Sequence, residues 1–355
     1  MPCSTCTGAS PLPPELTVVL CSMNGRDRIS ETLDALEGQE ARDRMEVVVV
    51  DDGSTDGTAE LAAERGFTVV RHPENRGLSA ARNTGIGAAK APLVAFIDDD
   101  CVPGPRWASH LLDAQEEGVI GVGGPVVPIT GTGFLSRYVE RNNRHLPLEL
   151  DLAASANLLY RLRLYLRRQL AAPQPPRRRD IYCPTGGNMA FRHAALAAVG
   201  GFDERFRFGS EEEDMIRRMR RDHPGRVVFL PEAAVTHRFL PTWRGLLRRS
   251  VSYGMGNALQ FRKWPSVNPT LFPWPVLTGV LLLSGLWKAP LAVVGLLAPL
   301  ALYPRGLRDA VRLRHPEPLA DPYLQLLQES CENYGFLRGV WRHRRIPPET
   351  REAAR

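Results

Sequence analysis

No apolar run in this sequence reaches the roughly 20 residues that a membrane-crossing helix needs. The first residues show no basic start followed by a long apolar stretch, so no secretory leader is expected. Six cysteines, Cys3, Cys6, Cys21, Cys101, Cys183 and Cys331, are scattered along the chain. Without a leader they point to a reducing, cytoplasmic compartment rather than a disulfide framework. "CSTC" at 3–6 has half the spacing of a zinc site, but no second CxxC or paired histidine follows it. It reads as two thiols in a flexible tail, residues 1–13. Aromatic residues make up only 7%, and many arginines sit in the second half beside apolar segments, so nucleic acid is not expected as a partner. Internal repeats and long low-complexity tracts are also missing.

What is present is a globular composition. Hydrophobic residues are 43% and charged residues 24% of 355, enough to build a core in one large or two ordinary domains. The net charge of +6 suits an anionic substrate or an anionic lipid surface.

The first 130 residues alternate strand-like and helix-like segments. Apolar runs at 15–23, 45–53, 67–72 and 92–97 read as strands. Segments 29–39, with Ser30 as a cap, 55–66, closed by Gly66, and 78–91 read as helices. Continuous apolar strands separated by helices imply a parallel sheet covered on both faces. Such sheets bind ligands beyond the carboxyl ends of their strands. The polar clusters "DDGSTDGT" and "DDDCVP" fall there. Further on, 118–128 reads as one Gly-rich strand and 152–172 as an amphipathic helix carrying Arg161, Arg163, Arg167 and Arg168. Residues 173–180 read as a loop, 181–192 as a strand around a Gly-Gly pair, and 210–222 as a helix with an acidic start and a basic end.

Residues 273–303 are different. Two apolar runs are separated by Lys288 and Pro290, each short for a full span. A re-entrant or interfacial hairpin, one or two true spans, and a soluble helix pair are the three readings. Arg244, Arg248, Arg249 and Arg262 before the segment, and Arg305, Arg308, Arg312 and Arg314 after it, favour anionic lipid headgroups and a hairpin with both ends cytoplasmic.

Three constellations carry chemistry. In "VVVVDDGSTDGT" Ser54, Thr55 and Asp56 are helix-capping types. Asp51 and Asp52, at the strand end, can accept a hydrogen bond from a base ring N–H or a ribose hydroxyl. In "NRGLSAARNTG" Arg82 and Asn83 lie on a helix at the same pocket edge, where Arg82 can stack on or pair with a nucleotide. In "FIDDDCVP" Asp98 and Asp100 have the i, i+2 spacing that puts two carboxylates on one side of an extended segment, with Asp99 turned away. Mg²⁺ or Mn²⁺ takes one or two such carboxylates plus substrate phosphates. The mutual repulsion of the three then predicts a bound cation and a less ordered loop without it.

Together with "TVVLCSMNGRDRISETLDAL", "PTGGNMAFRHAALAAVGGFDERF" and "EEEDMIRRM", these motifs resemble glycosyltransferase family 2, the inverting enzymes with the GT-A fold. The resemblance covers about residues 16–240, with weaker similarity in "LRRSVSYGMGNALQFRK". It implies that Asp51 or Asp52 contacts the base and that Arg82 borders the nucleotide. Asp98 and Asp100 would position a diphosphate-bound Mg²⁺ or Mn²⁺, with Asp100 the more direct ligand. Gly186, Gly187 and Asn188 would shape the donor-sugar and acceptor site. The family's "EDxDLxxR" stands here as "EEEDMIRR", so Glu212 occupies the usual position of the Asp base, with Glu211 a rival. Asp214 and Arg218 match the later substrate-site positions, and His237 falls at a metal or pyrophosphate contact. A proton-accepting carboxylate and a leaving-group cation are what a single displacement at an anomeric carbon requires.

The expected architecture is an α/β GT-A fold with a mostly parallel central sheet over residues 14–240, split into a nucleotide-binding half (14–130) and an acceptor half (131–240). A helical region, 241–355, follows with its apolar, membrane-associating segment. The expected activity is metal-dependent sugar transfer from a nucleotide-sugar donor to a lipid-linked or cell-envelope glycan, at the cytoplasmic side of a membrane. A nucleotidyltransferase, or a non-catalytic nucleotide-binding scaffold at the membrane, is the alternative.

Overall fold

The computed structural model describes residues 13–129, 131–143, 157–170, 175–207, 209–222, 225–238 and 241–349. The "CSTC" tail and both ends of the helix expected over 152–172 lie outside them. Strands β1 (Leu16–Ser22), β2 (Met45–Asp51), β3 (Thr68–Arg71) and β4 (Leu93–Asp98) pair in parallel in the order β3-β2-β1-β4. Alternate residues serve opposite faces. Val18, Leu20, Val47 and Val49 pack with Ile29, Leu33 and Leu36 of α1 (Arg26–Glu37). Val19, Val48 and Val50 share the other core cluster with Ala81 and Ile86 of α3 (Leu78–Ala88). That double burial is why these strands read as unbroken apolar runs.

Helix α1 starts at Arg26, so Ser30 lies inside it and does not cap it. Gly25 makes the entry, because a Cβ there would sit 2.2 Å from both Asp99 Oδ2 and Ser22 Oγ. Helix α1 thus starts earlier than expected, whereas α2 (Thr58–Glu64) starts later, after Gly57 at φ 86°. Asp56 accepts the Thr58 N–H at 3.1 Å, whereas Ser54 Oγ accepts from Asn24 N at 2.9 Å. Beyond β4 come β5 (Cys101–Pro103) and α4 (Trp107–Asp113).

The segment expected as one strand at 118–128 is two, β6 (Val119–Gly123) and β7 (Val126–Pro128), in different sheets. Gly124 is the break, where a Cβ would meet the Ala233 carbonyl at 1.8 Å. After α5 (Phe134–Arg141) and α6 (Leu158–Leu170) come β8 (Arg179–Ile181) and β9 (Asn188–Arg192). Strand β9 enters antiparallel between β4 and β6, so the sheet crosses the boundary drawn at residue 130. The rest of this region is α7 (His193–Ala198), α8 (Glu211–Asp222), β10 (Arg226–Phe229) and β11 (Val235–His237). Among the described residues the large sheet has eight strands, ordered β3-β2-β1-β4-β9-β6-β10-β8, and β5-β11-β7 form a small one.

The helical region comprises α9 (Trp243–Lys263), α10 (Pro273–Ser284), α11 (Ala289–Leu302), α12 (Arg305–Leu313) and α13 (Asp321–Arg342). Helices α9 and α13 touch at their backbones. A Cβ on Gly254 would lie 2.1 Å from Glu332 O, and one on Gly335 2.2 Å from Val251 O. Gly339 abuts Met255, so the offset between partners holds and the helices run parallel. Helices α10 and α11 form an antiparallel hairpin, with Gly285 against Ala292 and Gly295 against Leu282. Leu286 and Trp287 at its turn are 79% and 83% exposed. No single helix among the described residues is long and apolar enough to cross a membrane.

Candidate active site

The parallel strands end at one sheet edge, and each carboxylate there meets a different partner. Asp98, closing β4, lies 3.5 Å from Arg82 Nη2. Burial raises its pKa despite Arg82, with Asp100 adding to the rise. Asp99 turns toward α1, accepting from Ser22 Oγ and from Arg28 Nη2 at 2.9 Å. Asp100 lies 3.2 Å from His237 Nε2, at the end of β11. Burial pushes the Asp100 pKa up, but the hydrogen bond and charge of His237, with Arg249 and Arg28, hold it below its ordinary value.

Asp100, Cys101 and His237 place donor atoms within 4.8 Å of one another. Asp98, expected in the same metal set, is not part of that group and faces Arg82 instead. The i, i+2 spacing would suffice on a straight strand, but the chain turns at Asp99–Asp100 before β5. Cys101 went unnoticed in the sequence because nothing local marks it as a ligand. Burial first, and then the Asp98 and Asp100 charges, raise its thiol pKa well above the ordinary value.

The Gly186–Gly187 turn fits around these groups. A Cβ at Gly187 would sit 2.7 Å from Asp98 Oδ2, and one at Gly186 2.9 Å from Arg82 Nη2. Arg82 is 2% exposed. It donates to Gly186 O at 3.0 Å and to Glu211 Oε1 at 2.9 Å, binding the glycine turn to the start of α8. It therefore organises the site from within and does not line the cleft beside Asp52. Asn83 holds the Phe202 backbone through both ends of its amide.

Helix α8 opens after Ser210, at φ 66° in the left-handed region that is costly for a non-glycine residue. Bonds from Ser210 Oγ to Asn257 Oδ1 and from Gln260 Nε2 to Ser210 O hold that conformation from α9. Glu212 follows with its Oε2 buried and without a hydrogen-bond partner. Burial, then the Glu211 charge, holds its pKa well above the usual carboxylate range.

Two adjoining clefts share these groups. The first, about 350 Å³, is lined by Ser22, Asp52, Asn75, Asp98 to Cys101 and Arg207. The second, about 270 Å³, runs past Gly186, Glu211 and Glu212 to a far wall built from α5, α9 and α13. Both volumes are near the lower end of the range for small-molecule sites.

Four expected site residues line neither cleft. Asp51 is fully buried, accepts from Ser54 N at 3.2 Å and pairs with Arg71 Nε at 3.2 Å. Of the strand-end pair only Asp52 lines the cleft, and its oxygens already accept from the Arg76 and Gly77 amides at 2.9 Å each. Asn188 is fully buried, joined to Trp107 Nε1, Pro125 O and Ala233 O. Asp214 is locked by Arg218, Lys263 and Trp264. Arg218 also donates to Gly201 O at 2.7 Å. Asn188, Asp214 and Arg218 thus lie off both clefts, with their side chains bonded to neighbouring elements. Conversely, Arg28, Arg249 and Tyr253 line the clefts without having been singled out as site residues.

The model of glycosyl transferase family 2 matches residues 17–200, more than half of the chain. The chain belongs to glycosyl transferase family 2. It is 29% identical over 259 residues to the pre-mycofactocin glycosyltransferase of Mycobacterium tuberculosis, covering 70% of this chain and 49% of that family member. It is 34% identical over 122 residues to the glucosyl-dolichyl phosphate glucuronosyltransferase of Haloferax volcanii, 32% of this chain and 39% of that one. The chain spans about half the length, or less, of these curated relatives. In structure it is similar to the mannosyltransferase PcManGT of Pyrobaculum calidifontis, solved with GDP-Man and Mn²⁺. That match has a TM-score of 0.56 and 20% identity, over 93% of this chain and 88% of the other. GalNAc-T7, solved with UDP, GalNAc and Mn²⁺, gives 0.51 and 16% over 72% and 49%. Family 2 membership thus comes with the GT-A-type fold expected from the sequence.

Proposed function

We propose that this family 2 protein transfers a sugar from a nucleoside-diphosphate sugar to an acceptor hydroxyl, with inversion at the anomeric carbon. The observation that carries the reading is Glu212, a carboxylate with an unpartnered buried oxygen on the cleft that Asp98 joins to the Asp100–His237 group. The acceptor oxygen bonds to the anomeric carbon as the bond to the diphosphate oxygen breaks. The diphosphate leaves with the electron pair, and the acceptor proton passes to Glu212. A carboxylate whose pKa is raised is the stronger base once ionised. Glu211 is the weaker candidate because Arg82 occupies one of its oxygens.

A divalent cation, Mn²⁺ or Mg²⁺, fits the donors present. Asp100 offers a carboxylate, His237 an imidazole, and both face the first cleft. Cys101 is a poor third ligand while its thiol keeps its proton. When bound, the ion supplies charge stabilisation to the departing diphosphate. The presence of Mn²⁺ together with GDP-Man or UDP in the two similar structures supports this assignment.

The acceptor we propose is a lipid-linked or cell-envelope glycan, presented at the cytoplasmic side of a membrane that the α10–α11 hairpin contacts peripherally or as a short insertion. The lipid-phosphate substrate in the name of the Haloferax relative supports it, as do the exposed Leu286 and Trp287. A pre-mycofactocin-type acceptor is the second reading, favoured by a match across 70% of the chain.

The test is release of nucleoside diphosphate from UDP-, GDP- and dTDP-sugars with Mn²⁺ or Mg²⁺, with the product anomer read by NMR. Wild type should turn over one donor, and Asp100→Ala should not. Equal release from both would overturn the assignment.

A further inference from the structure

Few charged side chains face both clefts. Asp98, His237 and Arg249 do so, and Arg249 is the arginine common to both among the described residues. Arg28 and Arg207 line only the first cleft. Arg82 lines only the second, and its guanidinium is engaged by Glu211, Gly186 and Asp98. The junction of the clefts is where a nucleotide in one and an acceptor in the other would meet, and so where the diphosphate of a sugar donor would lie. Its anionic oxygens would there face two carboxylates, Asp98 and Asp100, and need cations against them.

We propose that Arg249 is the protein's own cation for the donor diphosphate. It comes from α9, outside the segment 17–200 that matches the family. This assignment rests on the sugar-transfer reading and deepens it. A guanidinium presents a planar fork that matches two phosphate oxygens at once. Its position is well supported. The neighbouring Ser250 is 1% exposed, and one turn on, Gly254 lies against the backbone of α13. Farther along, a Cβ at Gly256 would meet Gly209 O at 2.3 Å, and Asn257 and Gln260 hold Ser210 at the entry to α8. The helix that carries the leaving-group cation therefore also sets the turn that carries Glu212. Arg249 lines the first cleft together with Asp100 and His237.

The experiment is calorimetric binding of UDP, GDP and dTDP with Mn²⁺ to the full chain, followed by the matching nucleoside. Wild type, Arg249→Ala, Arg249→Lys and Arg248→Ala are compared. Arg249→Ala should weaken the diphosphate by about 10- to 100-fold, the size of a lost charge-assisted contact. Its nucleoside affinity should stay within about twofold of wild type, because only the phosphate contact is removed. Arg249→Lys should recover part of the loss, since it keeps the charge but not the fork. The exposed Arg248 serves as the control for net charge. Unchanged diphosphate binding in Arg249→Ala, an equal fall for nucleoside and diphosphate, or the same loss in Arg248→Ala would each overturn the assignment. If wild type binds none of the three diphosphates, the sugar-transfer reading falls first and takes this site with it.

Discussion

Glu211 and Glu212 are adjacent, and an oxygen-to-amide exchange at each should shift stability in opposite directions. Glu212 has a raised pKa in the folded protein because burial and the Glu211 charge oppose its ionised form. Below its ordinary value of 4.5, folded and unfolded chains both hold the proton. Above it the unfolded chain releases the proton while the folded one retains it. Stability then falls by about 1.4 kcal/mol per pH unit until the folded pKa is passed. Glu212→Gln removes that penalty, so the variant should match wild type near pH 4 and become the more stable protein as pH rises. Its turnover should fall by about 10²- to 10⁴-fold, roughly 3–5 kcal/mol of barrier, with nucleoside diphosphate affinity unchanged.

Glu211→Gln should do the reverse. It removes the negative charge that pairs with the buried Arg82 at 2.9 Å and leaves only a neutral amide oxygen there. Breaking a buried pair costs about 3–5 kcal/mol. The lower end is expected, because Arg82 keeps Gly186 O at 3.0 Å and Asp98 at 3.5 Å. The assay is the melting temperature of the three proteins between pH 4 and pH 9 without nucleotide, alongside single-turnover rates. A pH-independent difference for Glu212→Gln, or more than a tenth of wild-type turnover remaining in it, would refute the assignment of the base.

Asp100→Asn should abolish Mn²⁺ binding measured by paramagnetic resonance in the absence of nucleotide, while Asp99→Asn should retain it. Asp51→Asn should lower stability by about 1–3 kcal/mol through its buried partners, yet leave nucleoside affinity intact in calorimetry. Arg218→Ala should destabilise without raising the donor KM, since its contacts are Asp214 and the 199–201 backbone. Replacing Leu286 and Trp287 with serine should reduce co-sedimentation with anionic vesicles and leave turnover of a soluble donor unchanged.

The nucleotide-side architecture was legible because its signals are local. Four apolar runs separated by helix patterns imply a covered parallel sheet, and the acidic clusters follow the carboxyl ends of its strands. What could not be read depends on contacts far apart in sequence. The run at 118–128 is continuous until Ala233 comes against Gly124 and divides it between two sheets. Asn188, Asp214 and Arg218 are residue types that also bind substrates, and only Trp107, Lys263 and Trp264 show that their bonds are already made. Arg249 lies on a helix with no motif of its own, and only the approach of α9 to His237 and Asp98 brings it to the clefts.

The triple aspartate shows the limit of reading charge from sequence. Repulsion among three adjacent carboxylates predicts a cation, and a loop less ordered without one. The fold answers the repulsion by dividing it. Asp98 faces Arg82, Asp99 faces Arg28 and Ser22, and Asp100 faces His237. Each carboxylate has its own partner on a separate element, so part of the repulsion is offset by the protein's own groups. Asp100 and His237 hold their donor atoms close together as the chain stands. The same division explains why the carboxylates are not interchangeable. Loss of Asp99 uncouples α1 from the loop, loss of Asp98 leaves Arg82 short of one partner at the glycine turn, and loss of Asp100 removes a donor from the metal group.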